Sequence, residues 1–380
     1  MTLPPFHDHH THVSFYASLS GTADLSECLS ESEALDILRQ RKDRIIFARG
    51  WKNNLYDFSP SELDNLPPVA ISNISLHCFR INKKAREMLA VKNPEIVSRL
   101  DDQEWIEHNL NAVFAMIADY GGTESIPAFI SAMEKLGIYE MEDMSVCSAQ
   151  AAEYMAANYP GRIKIWAELD SFAKFPAAGG KQLVGGIKLF ADGALGAYSA
   201  ALSVPCKGGN PSCLLRSDAE MRSLLERAAE CKPEIAVHAI GDCATEQVIN
   251  AVRDVFGECG IRGGVNVRLE HAQMVTLEQA LLAKKLGIIL SMQPNFSPDS
   301  AAYSDRLPPH YINANNPFRM LIDEAGFIPG KDLIFGSDGM PHGAAYAAEC
   351  AEKPPVLGQR LTMRELIAGY SVSDMKCYLK

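Results

Sequence analysis

The order of apolar strands and amphipathic helices in this sequence predicts an α/β fold, a distorted (β/α)8 or TIM barrel. Short apolar runs alternate with helical stretches along most of the chain. Such alternation is typical of a parallel sheet that is covered on its outer face by helices, and the number of repeats favours a closed barrel over an open sheet. The 380 residues, of which 47% are hydrophobic, suffice for a core of that size.

The first predicted strand carries a cluster of histidines. It covers Phe6 to Val13, with the sequence FHDHHTHV. Because side chains alternate between the two faces of a strand, His10 and His12 are expected on one face, together with Asp8. Two neutral imidazoles side by side suit one metal ion. A histidine-rich N-terminus can also be a solvated tail, but the apolar residues within this run favour a strand.

The next hundred residues are less regular. Ser30 and Glu33 predict a capping box at the start of a helix. The segment from about 52 to 120 is long for one strand-to-helix connection, so we expect an elaborated loop or subdomain there within a single barrel spanning 1–380. The predicted elements in this part are helices over about 31–42, 81–90 and 102–119, and strands over 44–48 and 69–75.

Beyond residue 120 the pattern becomes regular, and polar residues stand at the ends of the predicted strands. In a (β/α)8 barrel the C-terminal ends of the strands converge on one pocket, even when they are far apart in sequence. The predicted strands cover 138–141, 162–166, 186–190, 235–238, 265–271, 287–291 and 333–338, and the predicted helices cover about 123–136, 147–158, 217–230, 243–256 and 276–285.

Six residues at or near strand ends form the predicted site, namely His10, His12, Lys188, His238, His271 and Asp338. Imidazole nitrogens and carboxylate oxygens are ligands of zinc-like ions, and a catalytic site leaves one position for water. Such an ion makes hydroxide available at neutral pH, and Asp338 would pass the proton of the water to the leaving group. A lysine beside a dication should be neutral, and a neutral amine can capture carbon dioxide as a carbamate that bridges two ions.

Each of these residues also has a structural interpretation. If all of these interpretations held, five independent coincidences would have placed such residues at strand ends. A shared site is therefore favoured. His77 and His342 lie on predicted loops and are expected at the surface, although either could contact a substrate. The structural interpretations are a hydrogen-bonded core residue for His238, a pair with Glu270 for His271, a pair with Asp192 for Lys188 and a turn aspartate for Asp338.

Charge and composition exclude several classes of function. The formal net charge of −11 argues against nucleic acid or an anionic membrane as a partner. No apolar run is long enough to cross a bilayer, and the N-terminus has no signal-peptide design. The ten cysteines are scattered, which is typical of reduced thiols. We therefore expect a cytoplasmic protein that acts on a small molecule.

The sequence blocks around these residues resemble those of the amidohydrolase superfamily, in particular the branch with the N-substituted formamide deformylases, amidohydrolase family 3. Residues 5–12 resemble its first-strand pattern P-G-F-x-D-x-H-x-H. Residues 186–196 resemble its fourth-strand block, and residues 237–242, 268–273 and 335–338 resemble the blocks of the fifth, sixth and eighth strands. The similarity extends over about residues 5–345.

The resemblance implies a role for each predicted site residue. His10 and His12 would bind one metal ion, His238 and His271 a second, a carboxylated Lys188 would bridge them, and Asp338 would be both ligand and proton shuttle. The cofactor would be one or two divalent ions, with Zn²⁺ expected first. Weaker matches suggest substrate contacts for Trp51, His77, Asn82 and Gln293.

The activity implied by the resemblance is hydrolysis of a carbon–nitrogen bond in an amide or cyclic amide by metal-activated hydroxide. One alternative is a mononuclear aminohydrolase, or deaminase, in which Lys188 is not a ligand. The other is a non-catalytic metal-binding barrel with a binding or regulatory role. Family members usually carry a small accessory β-sandwich, which we expect to be absent or vestigial because only five residues precede Phe6 and about forty follow Asp338. Whether the chain forms a homo-oligomer stays open.

Overall fold

The computed structural model divides the chain into two compact units, Met1–Val13 with Ile130–Lys380 and Ser14–Phe129. His77, and most of the helix predicted over 102–119, lie outside the described residues. The described residues are 3–53, 55–73, 78–102, 105–106, 109, 112–113, 116–117, 123–177, 179–196, 198–207, 214–257 and 264–371.

Twelve strands occur in the described part of the chain. They are β1 (Phe6–Thr11), β2 (Ala23–Asp24), β3 (Ile46–Trp51), β4 (Val69–Asn73), β5 (Phe79–Ile81), β6 (Ile138–Asp143), β7 (Ile163–Glu168), β8 (Gly186–Phe190), β9 (Glu234–Ala239), β10 (Asn266–His271), β11 (Ile289–Met292) and β12 (Leu333–Phe335).

Helices connect most of these strands, and none in the described part is both long and apolar enough to span a membrane. The α-helices are Val13–Ser20, Glu31–Arg39, Pro60–Asn65, Lys83–Ala90, Pro94–Ser98, Ile126–Lys135, Ala149–Asn158, Leu169–Lys174, Gly180–Leu183, Asp218–Cys231, Asp242–Phe256, Leu277–Leu286, Asp299–Ala302, Pro309–Ala314, Ala344–Glu352 and Met363–Gly369.

Eight strands of the first unit form a nearly closed parallel barrel with helices between them. Their order in the sheet is β1-β6-β7-β8-β9-β10-β11-β12, which is also their order in the chain. The barrel fold and its strands from 138 onwards were predicted correctly, with ends that differ by a few residues. The parallel order brings the C-terminal ends of all eight strands to one side.

A bulge in β1 changes the faces that its side chains occupy. Asp8 pairs with Met141 and Thr11 with Asp143, so three residues along β1 match two along β6. Such an extra residue shifts the alternation by one position. Asp8 therefore faces the opposite side from His12, and the prediction that it shares their face was wrong.

The two ends of the sheet meet where β12 leads into Asp338. The amide of Asp338 donates to the carbonyl of His10 at 2.6 Å. The amide and Oγ of Ser337 donate to the carboxylate of Asp8 at 2.8 and 2.5 Å. A Cβ on Gly336 would lie 2.3 Å from the nitrogen of His10, so only glycine allows this approach. These contacts, which we call the β1–β12 junction, join the barrel beside two predicted site residues.

The second unit has a four-stranded sheet of its own, in the order β2-β3-β4-β5, with β5 antiparallel to β4. The strands predicted over 44–48 and 69–75 are present as β3 and β4 but belong to this sheet, and the segment predicted over 52–120 lies within this unit. Half of the predicted capping box is present: the Ser30 side chain accepts from the amide of Glu33, while the Glu33 carboxylate accepts from the amide of Leu29.

Trp51 lies in the core of the second unit and is 1% exposed. Its Nε1 donates to the carbonyl of Tyr56 at 2.9 Å. This packing gives Trp51 a structural role, and the predicted contact with substrate stays a prediction.

Asn82 is a buried helix cap in the second unit. Its Oδ1 accepts from the amides of Ala85 and Val69 at 2.9 and 3.1 Å. Its Nδ2 donates to the carbonyls of Leu63 and Pro67 at 2.9 and 2.8 Å. The substrate contact suggested for Asn82 stays a prediction, but these four hydrogen bonds already use the donors and acceptor positions of the amide.

Candidate metal centre

His10, His12 and Asp338 meet at the β1–β12 junction. Asp338 Oδ1 lies 3.1 Å from His12 Nε2 and 3.6 Å from His10 Nε2. The candidate ligand atoms of the three side chains all lie within 4.8 Å of one another. Asp338 has a φ of 54°, which few residues other than glycine and asparagine or aspartate adopt. The chain thus brings together two imidazoles and a carboxylate that are more than 300 residues apart.

His238 and His271 extend this group along the ends of β9 and β10. The ring centroid of His271 lies 4.7 Å from that of His10 and 4.4 Å from that of His238. His271 has a φ of 70°, so the backbone turns at the end of its strand. The four histidine rings therefore form one continuous cluster with Asp338.

Three of these imidazoles hold a hydrogen bond on the ring nitrogen that faces away from the cluster. A neutral imidazole donates from one nitrogen and offers the other to a metal ion. This leaves Nε2 of His10 and His271, and Nδ1 of His238, as ligand atoms. Burial lowers the pKa of His238 to about 3, which keeps its ring neutral. The pairs are His10 Nδ1 with Glu270 Oε2 at 2.6 Å, His271 Nδ1 with Gln293 Oε1 at 2.7 Å and His238 Nε2 with the Gly193 carbonyl at 2.9 Å.

Glu270 therefore pairs with His10, across the barrel, and the alternative pairing of His271 with Glu270 is wrong. The second oxygen of Glu270 accepts from Arg268 Nε at 2.9 Å. Sequence reasoning did not find this role, because the partner His10 is 260 residues away. The partner of His271 is Gln293, at the end of β11.

Arg268 is a buried cation that links Glu270 to the neighbouring carboxylate of Glu142. Its Nη1 donates to Glu142 Oε2 at 2.7 Å, and Trp166 Nε1 donates to the same oxygen at 2.7 Å. Burial alone would raise the pKa of Glu270, but the charge of Arg268 holds it well below its usual range. The ionised carboxylate can then accept a hydrogen bond from the N–H at His10 Nδ1, which fixes the tautomer of this imidazole.

Lys188 on β8 is buried, with 1% of its surface exposed. Within the described part of the chain, its Nζ makes no hydrogen bond. Burial lowers the pKa of Lys188 to about 8. The alternative pairing with Asp192 is wrong, since the carboxylate of Asp192 accepts backbone amides, including those of Ile240 and Gly241. A buried amine without a partner is costly, and a carbamate between two cations would remove that cost.

The donor set fits a divalent ion of the zinc type. It combines neutral imidazoles whose outer nitrogens are occupied, one carboxylate and a buried amine. His10, His12, His238, His271 and Asp338 would hold the ion or ions.

Residues 1–348 match the model of the amidohydrolase family. The chain belongs to this family. Among curated proteins, the amidohydrolase chain is 27% identical to the Bacillus subtilis (strain 168) candidate amidohydrolase YtcJ, over 77% of the chain and 62% of YtcJ. The chain thus spans less than two thirds of the length of this relative. The match shows a hydrolase family and leaves the formamide deformylase branch a prediction.

The fold of this amidohydrolase is similar to that of two solved structures of uncharacterized metal-dependent hydrolases. The structure from Pyrococcus furiosus has a TM-score of 0.74 and 21% identity, over 99% of this chain and 82% of that chain. The one from Pyrococcus horikoshii OT3 has a TM-score of 0.74 and 22% identity, over 99% and 81%. At this identity the likeness supports the fold.

Gln293 and His342 of the amidohydrolase each make a hydrogen-bonding contact within the barrel unit. Gln293 is 1% exposed and positions His271, so its predicted contact with substrate stays a prediction. His342 is half-buried, and its Nε2 lies 2.7 Å from Thr11 Oγ1. His342 is therefore only partly exposed, and its contact with a substrate stays a prediction.

Proposed function

We propose that this amidohydrolase cleaves the carbon–nitrogen bond of an amide or cyclic amide. The observation that carries the proposal is the cluster of His10, His12, His238, His271 and Asp338 at the C-terminal ends of the strands. A divalent ion bound there, Zn²⁺ by donor type, would lower the pKa of a water molecule and polarise a carbonyl group. The residues of the chain supply the orientation and the proton transfer.

Asp338 is the proposed proton shuttle. Its side chain is 18% exposed, so the carboxylate faces the open side of the cluster, while His12 Nε2 lies 3.1 Å from Oδ1. Cleavage of a C–N bond requires a proton on the leaving nitrogen, because an amide anion is a poor leaving group. A carboxylate beside the reacting water can take that proton and deliver it.

The test compares the wild type with His10→Ala/His12→Ala. We expect the double variant to lose most of its bound metal and all measurable hydrolysis of a panel of N-acyl amines, lactams and cyclic imides. His310→Ala is the matched control, because His310 is an exposed histidine outside the cluster and should retain both. A double variant with wild-type metal content and activity would refute the proposal.

The role of Lys188 separates the proposal from its deaminase alternative. If Lys188 is carboxylated, metal-free protein should take up more ions per chain with bicarbonate than without it, and Lys188→Met should take up fewer ions and show no bicarbonate dependence. Plasma mass spectrometry measures both. An ion content that neither bicarbonate nor Lys188→Met changes would instead favour a mononuclear aminohydrolase, and metal-loaded protein without turnover of any such substrate would favour the non-catalytic alternative.

A further inference from the structure

A second cluster of metal-binding side chains lies inside the barrel, on the N-terminal side of the β1 bulge. It consists of His7, His9 and Glu142, which we call the lower histidine cluster. His9 Nδ1 lies 2.9 Å and His7 Nε2 3.5 Å from Glu142 Oε1, and the two rings stack with centroids 3.9 Å apart. The candidate ligand atoms all lie within 4.8 Å of one another. Glu140 Oε2, 3.2 Å from His7 Nδ1, is a fourth candidate ligand.

His7 is the unexplained member of this cluster. The residue is 8% exposed, and neither ring nitrogen makes a hydrogen bond with any described residue. The carboxylates of Glu140 and Glu142 are near enough for charge interaction but do not lie in hydrogen-bonding directions. A buried polar group without a partner is costly, and nearly all such groups in folded proteins are satisfied. Ligation of a metal ion would satisfy His7.

Two carboxylates offer ligand atoms beside the imidazoles. Glu140 and Glu142 both lie within 3.5 Å of a ring nitrogen of His7, and Glu142 also pairs with His9. A divalent ion of the zinc class binds imidazole nitrogen together with carboxylate oxygen, so these side chains would share its ligation.

The centre at the C-terminal side does not account for these histidines. In the first-strand pattern P-G-F-x-D-x-H-x-H, His7 and His9 occupy two of the unspecified positions, whereas His10 and His12 are the specified histidines. The bulge in β1 separates the two pairs. We propose that His7, His9 and Glu142 bind a second divalent transition-metal ion of the zinc class. Two imidazoles and a carboxylate are suitable ligands for that class.

Cobalt binding tests the lower histidine cluster separately from the other centre. His10→Gln/His12→Gln weakens the C-terminal centre, and the quadruple variant adds His7→Gln and His9→Gln. Each protein is stripped with a chelator, checked for folding by circular dichroism and titrated with Co²⁺, while visible absorption and plasma mass spectrometry report the ion. We expect the quadruple variant to bind about one Co²⁺ fewer per chain than the double variant, with loss of the corresponding d–d bands. Equal content and equal spectra would overturn the proposal.

A second measurement decides the question if the quadruple variant does not fold. Crystals of the wild type grown with Zn²⁺ should show an anomalous peak at the zinc edge between His7, His9 and Glu142, in addition to any peak beside Asp338. A map with no peak at the lower histidine cluster would overturn the proposal. The cluster would then be a set of structural ion pairs. Neither readout depends on hydrolytic activity, so failure here is distinguishable from failure of the proposed hydrolase function.

Discussion

Replacing Glu270 with glutamine should weaken both the fold and the metal centre. The Glu270 side chain has no exposed surface, and its carboxylate accepts from His10 Nδ1 at 2.6 Å and from Arg268 Nε at 2.9 Å. Glutamine has nearly the same shape but only one acceptor oxygen. Its amide NH2 would therefore face one of the two donors, and one hydrogen bond must be lost.

The expected cost follows from these contacts. A hydrogen bond to a charged group contributes about 1.5–3 kcal/mol, and removal of one partner from a buried ion pair costs about 3–5 kcal/mol. Arg268 keeps its bond to Glu142, so we expect about 3 kcal/mol. An unfolding entropy of about 2.1 cal/mol/K per residue gives roughly 0.8 kcal/mol/K for this chain, so the Tm should fall by about 4 °C. Loss of the group that orients His10 should weaken metal binding by about 10–100-fold.

Calorimetry of metal-free protein measures the stability, and zinc competition against a chelator measures the affinity. Ser291→Ala is the matched control, because Ser291 Oγ lies in the same buried network, 3.3 Å from Arg268 Nη2, but contacts no imidazole in the described network. It should cost less than about 1 kcal/mol and leave zinc affinity unchanged. Wild-type Tm and wild-type zinc affinity in Glu270→Gln would contradict the roles inferred for the hydrogen bonds of Glu270 to His10 and Arg268.

Two further predictions concern stability. Asn82→Ala removes the helix cap and leaves the buried amide of Val69 without a partner, so denaturant unfolding should show a loss of about 2–4 kcal/mol. Asn82→Asp keeps the acceptor but places a carboxylate oxygen against the carbonyls of Leu63 and Pro67, so it should not restore the wild-type stability. Although burial alone would raise the pKa of Glu142, the charge of Arg268 holds it well below 4.5. Because the pKa of Glu142 is lower in the folded protein than in the unfolded chain, its ionised carboxylate stabilises the fold above about pH 4.5, and this stabilisation is lost as the pH falls towards the folded pKa. The difference in unfolding free energy between wild type and Glu142→Gln, followed in metal-free protein, should therefore shrink below about pH 4, and a constant difference would contradict the sign of the shift.

The barrel, and the proximity of five site residues to one another, could be predicted because both follow from local sequence patterns. Apolar runs and helical periodicity identify the strands, and a parallel barrel brings their C-terminal ends together wherever they lie in the chain. The prediction that His10, His12 and Asp338 lie close together therefore required only the correct order of the strands, and no distances.

Other features depend on which strand packs beside or across from which, and local patterns do not contain that information. The strands over 44–48 and 69–75 have the same composition as barrel strands, although they form the sheet of the second unit. The pairing of His10 with Glu270 crosses the barrel. The bulge in β1 places Asp8 on the opposite face from His12. It can be seen only in the register of β1 against β6, and the residue pattern of β1 does not indicate it.

The β1–β12 junction is the line along which the barrel can open transiently. In the described part of the chain, β1 and β12 are the outer strands of the sheet, and the amide of Asp338 is held by the carbonyl of His10. Separation of the two strands there would carry Asp338 away from both His10 and His12 in one movement. The exchange rate of the Asp338 amide with deuterated solvent would therefore report how often Asp338 separates from His10, and an ion bound by residues of both strands should slow this exchange.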